Sequence, residues 1–92
     1  MLKEEQHKMS TLERLYGVII RVYKVMNRSF DIPLEKINEG SLLREDLGLD
    51  SLSFVMIILE IEKEFGITLS VEGMSACRSA GDVIATVEKE IN

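Results

Sequence analysis

The stretch Glu45-Asp46-Leu47-Gly48-Leu49-Asp50-Ser51-Leu52-Ser53-Phe54-Val55-Met56-Ile57-Ile58-Leu59-Glu60-Ile61-Glu62-Lys63-Glu64-Phe65-Gly66 changes character at its middle. Up to Asp50 it is an acidic, glycine-containing loop. From Ser51 its apolar residues recur at helical spacing, with Phe54, Ile57, Ile58, Ile61 and Phe65 on one stripe. The spacing predicts a helix over 51–65, stopped by Gly66, which readily takes the left-handed conformation that closes a helix. Val55, Met56 and Leu59 lie off that stripe. Glu60 and Glu64 stand one turn apart, a mildly unfavourable like-charge pair on an isolated helix.

N-terminal to this stretch, Ser10 and Glu13 have capping-box spacing, with Thr11 an alternative cap, so a first helix starts there. Leu12, Leu15, Tyr16, Ile19, Val22, Tyr23 and Met26 form its stripe, and Val18, Ile20 and Val25 fall outside it. Gly17 weakens this helix by about 1 kcal/mol relative to alanine, and Asn27 is its expected stop. Between Arg28 and Asp50 periodicity is lost, yet Phe30, Ile32, Leu34, Ile37, Leu42, Leu43 and Leu47 recur. Such a loop is pinned onto a core, with a short helical turn expected around Pro33–Ile37.

C-terminal to Gly66, Ile67, Leu69 and Val71 alternate with polar residues but have no partner strand, which predicts an extended connector and a brief helical turn around Val71–Ala76. A last helix starts after Ser79, with Asp82 at the capping-box position and Val83, Ile84, Val87 and Ile91 inward. The fold class is all-α: a small bundle of three to four helices with a long first loop. Residues 1–9 read as a tail and 10–92 as one domain.

Composition narrows the function classes. The chain has 92 residues, 46% hydrophobic and 29% charged, which is ordinary for a globular domain. Its net charge of −5 argues against nucleic-acid binding. Acidic residues concentrate over Arg44–Glu72, a distribution that attracts basic partners. No run approaches the length of a membrane span, and Met1–Ser10 lacks a secretory apolar stretch, so a cytoplasmic protein is expected. Cys77 is the sole cysteine and His7 the sole histidine. An intrachain disulfide and a structural zinc site are therefore ruled out, and Cys77 reads as a small apolar filler. With no base in reach of any nucleophile, intrinsic catalysis is not expected. Asp46, Gly48 and Asp50 imitate the start of a calcium loop, but Ser51 stands where glycine is required and Ile57 where glutamate is required.

Ser51 remains. A serine at a helix start is ordinarily a cap or a tolerated polar residue, and Asp-Ser-Leu alone carries little weight. Its setting carries more. A helix start leaves backbone N–H groups unpaired at the positive end of the dipole, a field that favours a phosphodiester esterified to this hydroxyl. Gly48 permits a tight loop, and Asp50 can cap the helix or position an incoming ion. A group attached here projects from the end of the molecule and can reach other proteins.

Asp46-Leu47-Gly48-Leu49-Asp50-Ser51-Leu52, followed by the apolar helix through Glu62-Lys63-Glu64-Phe65-Gly66-Ile67, closely resembles the acyl carrier protein family. The resemblance extends over about Leu12–Ile91, with the sharp motif confined to Asp46–Leu52. It implies that Ser51 bears a 4′-phosphopantetheine arm whose thiol holds an acyl group as a thioester. A magnesium-requiring phosphopantetheinyl transferase would install the arm, and acyl-loading, acyl-transfer or condensing enzymes would use it. Asp50 then contacts the transferase's magnesium or basic groups, Leu52 seats in partner enzymes, and Phe54, Ile57, Ile58 and Ile61 are the candidate lining of an acyl pocket beside their core role. The bacterial fatty-acid members of this family usually carry acids at the positions of Ser53 and Met56. Here the outward face reads Leu52, Ser53, Val55, Met56 and Leu59, with Glu60 at its edge, which suggests a dedicated partner recognised by packing. A monomeric carrier in fatty acid, polyketide or a related specialised pathway is expected. A peptidyl or aminoacyl carrier, and a helical interaction module with this fold and no arm, are the alternatives.

Overall fold

A computed structural model describes residues 10–91; the tail expected over 1–9, with His7, lies outside them. The described chain forms α1 (Thr11–Val25), a 3-10 turn (Leu34–Lys36), α2 (Ser51–Phe65), α3 (Val71–Ser75) and α4 (Ala80–Ile91). Among the described residues there is no strand, only an isolated bridge between Leu42 and Ser79, and no helix is long and apolar enough to cross a membrane.

The helix ends follow local chemistry. Ser10 Oγ accepts from Glu13 N–H at 3.1 Å while Glu13 Oε1 accepts from Ser10 N–H at 2.8 Å, the reciprocal box read from the sequence. At the other end of α1, Asn27 takes a left-handed φ of 59°. Arg28 N–H then bonds back to Tyr23 O at 2.8 Å, closing a Schellman-type end. Gly66, at φ 66°, ends α2 in the same conformation. Ser79 and Asp82 form a second reciprocal pair at the start of α4, where Asp82 Oδ2 also accepts from Arg78 N–H.

α1 packs chiefly on α2 and also on α4. Leu15, Val18, Ile19 and Val22 of α1 are buried with Ile57 and Ile61 of α2 and Val83, Ile84 and Val87 of α4. Val18 departs from expectation: it lies at 0% exposure rather than off the stripe. Covering α1 from two sides widens the sector that must be apolar. Ile91 departs the other way, at 50% exposure. Thr11 Oγ1 donates to Glu88 Oε2 at 3.0 Å, so α4 runs past the start of α1 and its last turn has nothing from that helix to cover it.

α1 and α2 are antiparallel, and one edge of their contact is ionic. Arg14 reaches Glu64 at 3.2 Å, Arg21 reaches Glu64 at 2.9 Å and Glu60 at 3.4 Å, and Arg28 reaches Asp50 at 2.9 Å. Arg21 thus sits between the two glutamates whose repulsion disfavours an isolated α2.

The long first loop is pinned throughout. Phe30 stacks edge-on against Tyr16 and Tyr23, and Tyr16 Oη donates to Ile32 O at 2.9 Å. Leu43 N–H donates to Arg78 O, Ala80 N–H to Ser41 O and Gly81 N–H to Glu39 O, each at 2.8 Å. Gly81 is required at this crossing, since a Cβ there would stand 2.9 Å from Glu39 O. The loop is thereby bound to the α3–α4 junction, which carries it to the start of α2.

Candidate functional site

Each residue of Asp46–Ser51 has a separable job. Asp46 Oδ2 accepts from Leu42 N–H at 2.8 Å and closes a turn. Leu47 and Leu49 are buried on either side of Gly48, whose φ of 71° lets the chain reverse between them. Asp50 is the N-cap of α2: its Oδ1 accepts from Ser53 N–H at 2.8 Å, and Ser53 Oγ accepts from Asp50 N–H at 3.0 Å. The acidic residues that imitate a calcium loop are therefore committed to backbone turns and to Arg28.

Ser51, the first residue of α2, is exposed. Capping is done by Asp50 and Ser53, so the Ser51 hydroxyl is not needed for it, and among the described residues nothing hydrogen-bonds that oxygen. This meets the requirement for a covalently attached group: an accessible nucleophile whose loss from the hydrogen-bond network costs the fold nothing. Asp50 is held strongly ionised. The Ser53 backbone N–H, then the Arg28 guanidinium, then the Ser53 hydroxyl lower its pKa from 3.8 to about 2.

Ser53 corrects the sequence reading. It was expected on the outward face for partner recognition, but it lies at 0% exposure. The reason is local: the third residue of the helix turns back to complete the capping box, which points its side chain into the loop–helix junction. The remaining members of that face divide. Leu52, Val55 and Leu59 are 58%, 52% and 56% exposed. Met56 is half-buried against the core, and Glu60 is half-buried and ion-paired with Arg21.

Two grooves flank α2. One, of about 730 Å³, opens directly beside Ser51 between the loop and the α3–α4 junction, with Leu43, Leu49, Phe54, Ala76 and Cys77 as apolar wall and Arg44 and Arg78 also lining it. Of the four residues expected to line an acyl pocket, only Phe54 reaches it. Ile57 and Ile61 are core residues at 2% and 0% exposure, and Ile58 is half-buried against the core. The loop residues that replace them in the wall were not identifiable from helical spacing. Cys77 fills space in this wall. Its Sγ donates to Gly73 O at 3.4 Å, and burial raises the thiol's pKa despite the nearby Thr86 hydroxyl, which keeps it a neutral, poor nucleophile. The second groove, about 760 Å³, lies between α1 and α2, with Val22, Val25, Met56 and Leu59 at its apolar centre. It continues the line of Leu52, Val55 and Leu59 away from Ser51.

Arg28 is the neighbour of the site that the sequence reading missed. Its signal was faint: Arg14, Arg21 and Arg28 are spaced by seven residues, which sets them along one side of α1 and its end.

Three comparisons bear on this arrangement. A family profile described as "Phosphopantetheine attachment site" matches residues 21–87. The acyl carrier protein of Rickettsia bellii is 38% identical over 69 residues, 75% of this chain and 80% of that protein. That of Sinorhizobium fredii is 32% identical over 69 residues, 75% of this chain and 88% of its own. Among solved structures, an acyl carrier protein candidate from Mycobacterium tuberculosis superposes with a TM-score of 0.71 at 29% identity, covering 87% of this chain and 97% of its own.

Proposed function

This chain belongs to the acyl carrier protein family, carriers rather than enzymes whose attachment domain implies covalently bound 4′-phosphopantetheine, and we propose on that premise that Ser51 is its point of attachment. One observation carries the assignment: at the start of α2 the cap is supplied by Asp50 and Ser53, leaving the exposed Ser51 hydroxyl free for esterification. When bound, the group supplies a flexible thiol that holds an acyl chain as a thioester.

The chain's own residues supply the rest. Asp50 and Ser53 cap the helix start and so fix the backbone from which Ser51 projects. The groove walled by Leu43, Leu49 and Phe54 offers apolar shelter within reach of Ser51. Leu52, Val55 and Leu59 form an exposed apolar strip leading from Ser51 towards the α1–α2 groove. Such a strip suits partner enzymes that recognise the carrier by packing, and it favours a dedicated, specialised pathway over general fatty-acid synthesis.

Intact-protein mass spectrometry tests the assignment. Incubation with coenzyme A, magnesium and a broad-specificity phosphopantetheinyl transferase should add one phosphopantetheine, and Ser51→Ala should add none while keeping its helical circular dichroism. A mass increment that persists in Ser51→Ala would assign the site elsewhere. A wild-type chain left unmodified by several transferases would favour an interaction module without an arm.

A further inference from the structure

We propose that Arg28 is the protein's own binding residue for the phosphodiester on Ser51, sharing its guanidinium between that group and Asp50. The inference rests on Ser51 being the modified residue, and it concerns what the fold does with the charge thereby added.

The placement of Arg28 is not a matter of free side-chain motion alone. The left-handed turn at Asn27 and the bond from Arg28 N–H to Tyr23 O fix its backbone directly after α1. From there its Nη1 reaches Asp50 Oδ2 at 2.9 Å, and the other carboxylate oxygen, Oδ1, serves the Ser53 N–H. Along the same edge Arg14 and Arg21 each engage two acceptors: Glu64 Oε2 and Glu64 O for the first, Glu60 and Glu64 for the second. Arg28 engages one among the described residues. A guanidinium has five N–H donors in a planar fork matched to phosphate oxygens. This side chain is 40% exposed, and the Asp50 it holds directly precedes Ser51 in the chain.

Modification changes the local charge balance. A phosphodiester on Ser51 Oγ places a second anion one residue from Asp50, which is already ionised. Two anions at one helix start repel each other, and a cation held close to both offsets that repulsion. Arg28 is the cation already ion-paired there, and bridging both anions needs no rupture of its existing bond. Arg44 and Arg78 line the groove beside Ser51 and are not ion-paired among the described residues. They are the competing ligands, and the experiment separates them from Arg28.

Unmodified and fully modified full-length protein would be prepared for wild type, Arg28→Gln, Arg28→Lys, Arg44→Gln and Arg78→Gln. Intact mass would verify each state before any comparison. The quantity read is the change in Tm on modification. We expect it to be about 4 °C less favourable in Arg28→Gln than in wild type, partly restored in Arg28→Lys, unaltered in the other two variants, and compressed by high salt. By NMR, the Arg28 Nε–H resonance of wild type should move on modification, and the 31P resonance of the arm should move in modified Arg28→Gln. An equal Tm change in wild type and Arg28→Gln, or an Arg28 Nε–H that does not move, overturns the proposal. So does a deficit that appears in Arg44→Gln or Arg78→Gln instead. A wild-type chain that accepts no group fails the Ser51 assignment itself, and the mass measurement reports that separately.

Discussion

Asp50 commits its two carboxylate oxygens to two different elements: Oδ1 closes the capping box of α2, and Oδ2 holds Arg28 at the end of α1. Both contacts favour the ionised form, which is why its pKa falls to about 2. A carboxylate whose folded pKa is depressed binds fewer protons when native. Its contribution to stability is complete above the unfolded pKa of about 4 and is lost as pH falls towards the folded value. Tm of the wild type should therefore drop between about pH 4 and pH 2, and Asp50→Asn should show a shallower drop from a lower plateau. Some decline should remain in the variant, because Asp82, which accepts from Arg78 and Ser79 N–H, is also held below the usual carboxylate range. Identical slopes in thermal melts across that window would show that Asp50 is not the titrating group. Ser51 beside it is the opposite case: it is exposed and takes no part in the capping box.

α2 presents three faces, each with a different partner. Ile57 and Ile61 enter the core, Glu60 and Glu64 meet α1 arginines, and Leu52, Val55 and Leu59 face outward. The outward face carries the prediction at this scale. The family resemblance read from the sequence implies acids at the positions of Ser53 and Met56 in bacterial fatty-acid carriers, where they would meet basic enzymes. Leu59→Glu, on an exposed position, should raise affinity for a bacterial fatty-acid condensing enzyme at low salt by up to about fivefold, the most an exposed ion pair of about 1 kcal/mol supplies. Surface plasmon resonance at two salt concentrations measures it. Unchanged affinity at low salt would place Leu59 outside the docking face. Met56 is the weaker choice for this test, since it also packs on the core and a charge there would perturb the fold.

At the scale of the molecule, stability rests on a few fully enclosed side chains shared by α1, α2 and α4. Ile61, at 0% exposure, is one of them. Ile61→Ala removes buried methylene groups and leaves a cavity, at a cost of about 3 kcal/mol, a large share of the roughly 5–15 kcal/mol typical of a domain. Val25, at 76% exposure, is its counterpart in the α1–α2 groove. Val25→Ser should change stability by no more than about 0.5 kcal/mol. Urea melts of both variants decide the matter: comparable midpoints would mean that the packing order of the bundle is not as described. The expected contrast would show that the α1–α2 groove can be altered without unfolding the helices that frame it.

The element boundaries were legible from the chain alone because they depend on neighbours. Ser10 with Glu13, Ser79 with Asp82, and Gly66 after Phe65 each act within one helical turn, and α2 begins and ends where the reading put it. The Asp46–Leu52 motif was legible for the same reason. What tertiary structure alone decided involves residues far apart in sequence. Val18 is enclosed because α4 covers a second side of α1, Ile91 is half exposed because α4 runs past the start of α1, and the wall beside Ser51 comes from the loop and the α3–α4 junction more than from the α2 stripe. Arg28 reaches Asp50 across 22 positions of chain. Periodicity reports which face of a helix is apolar; only the packed arrangement determines what that face meets and which charge stands beside the serine.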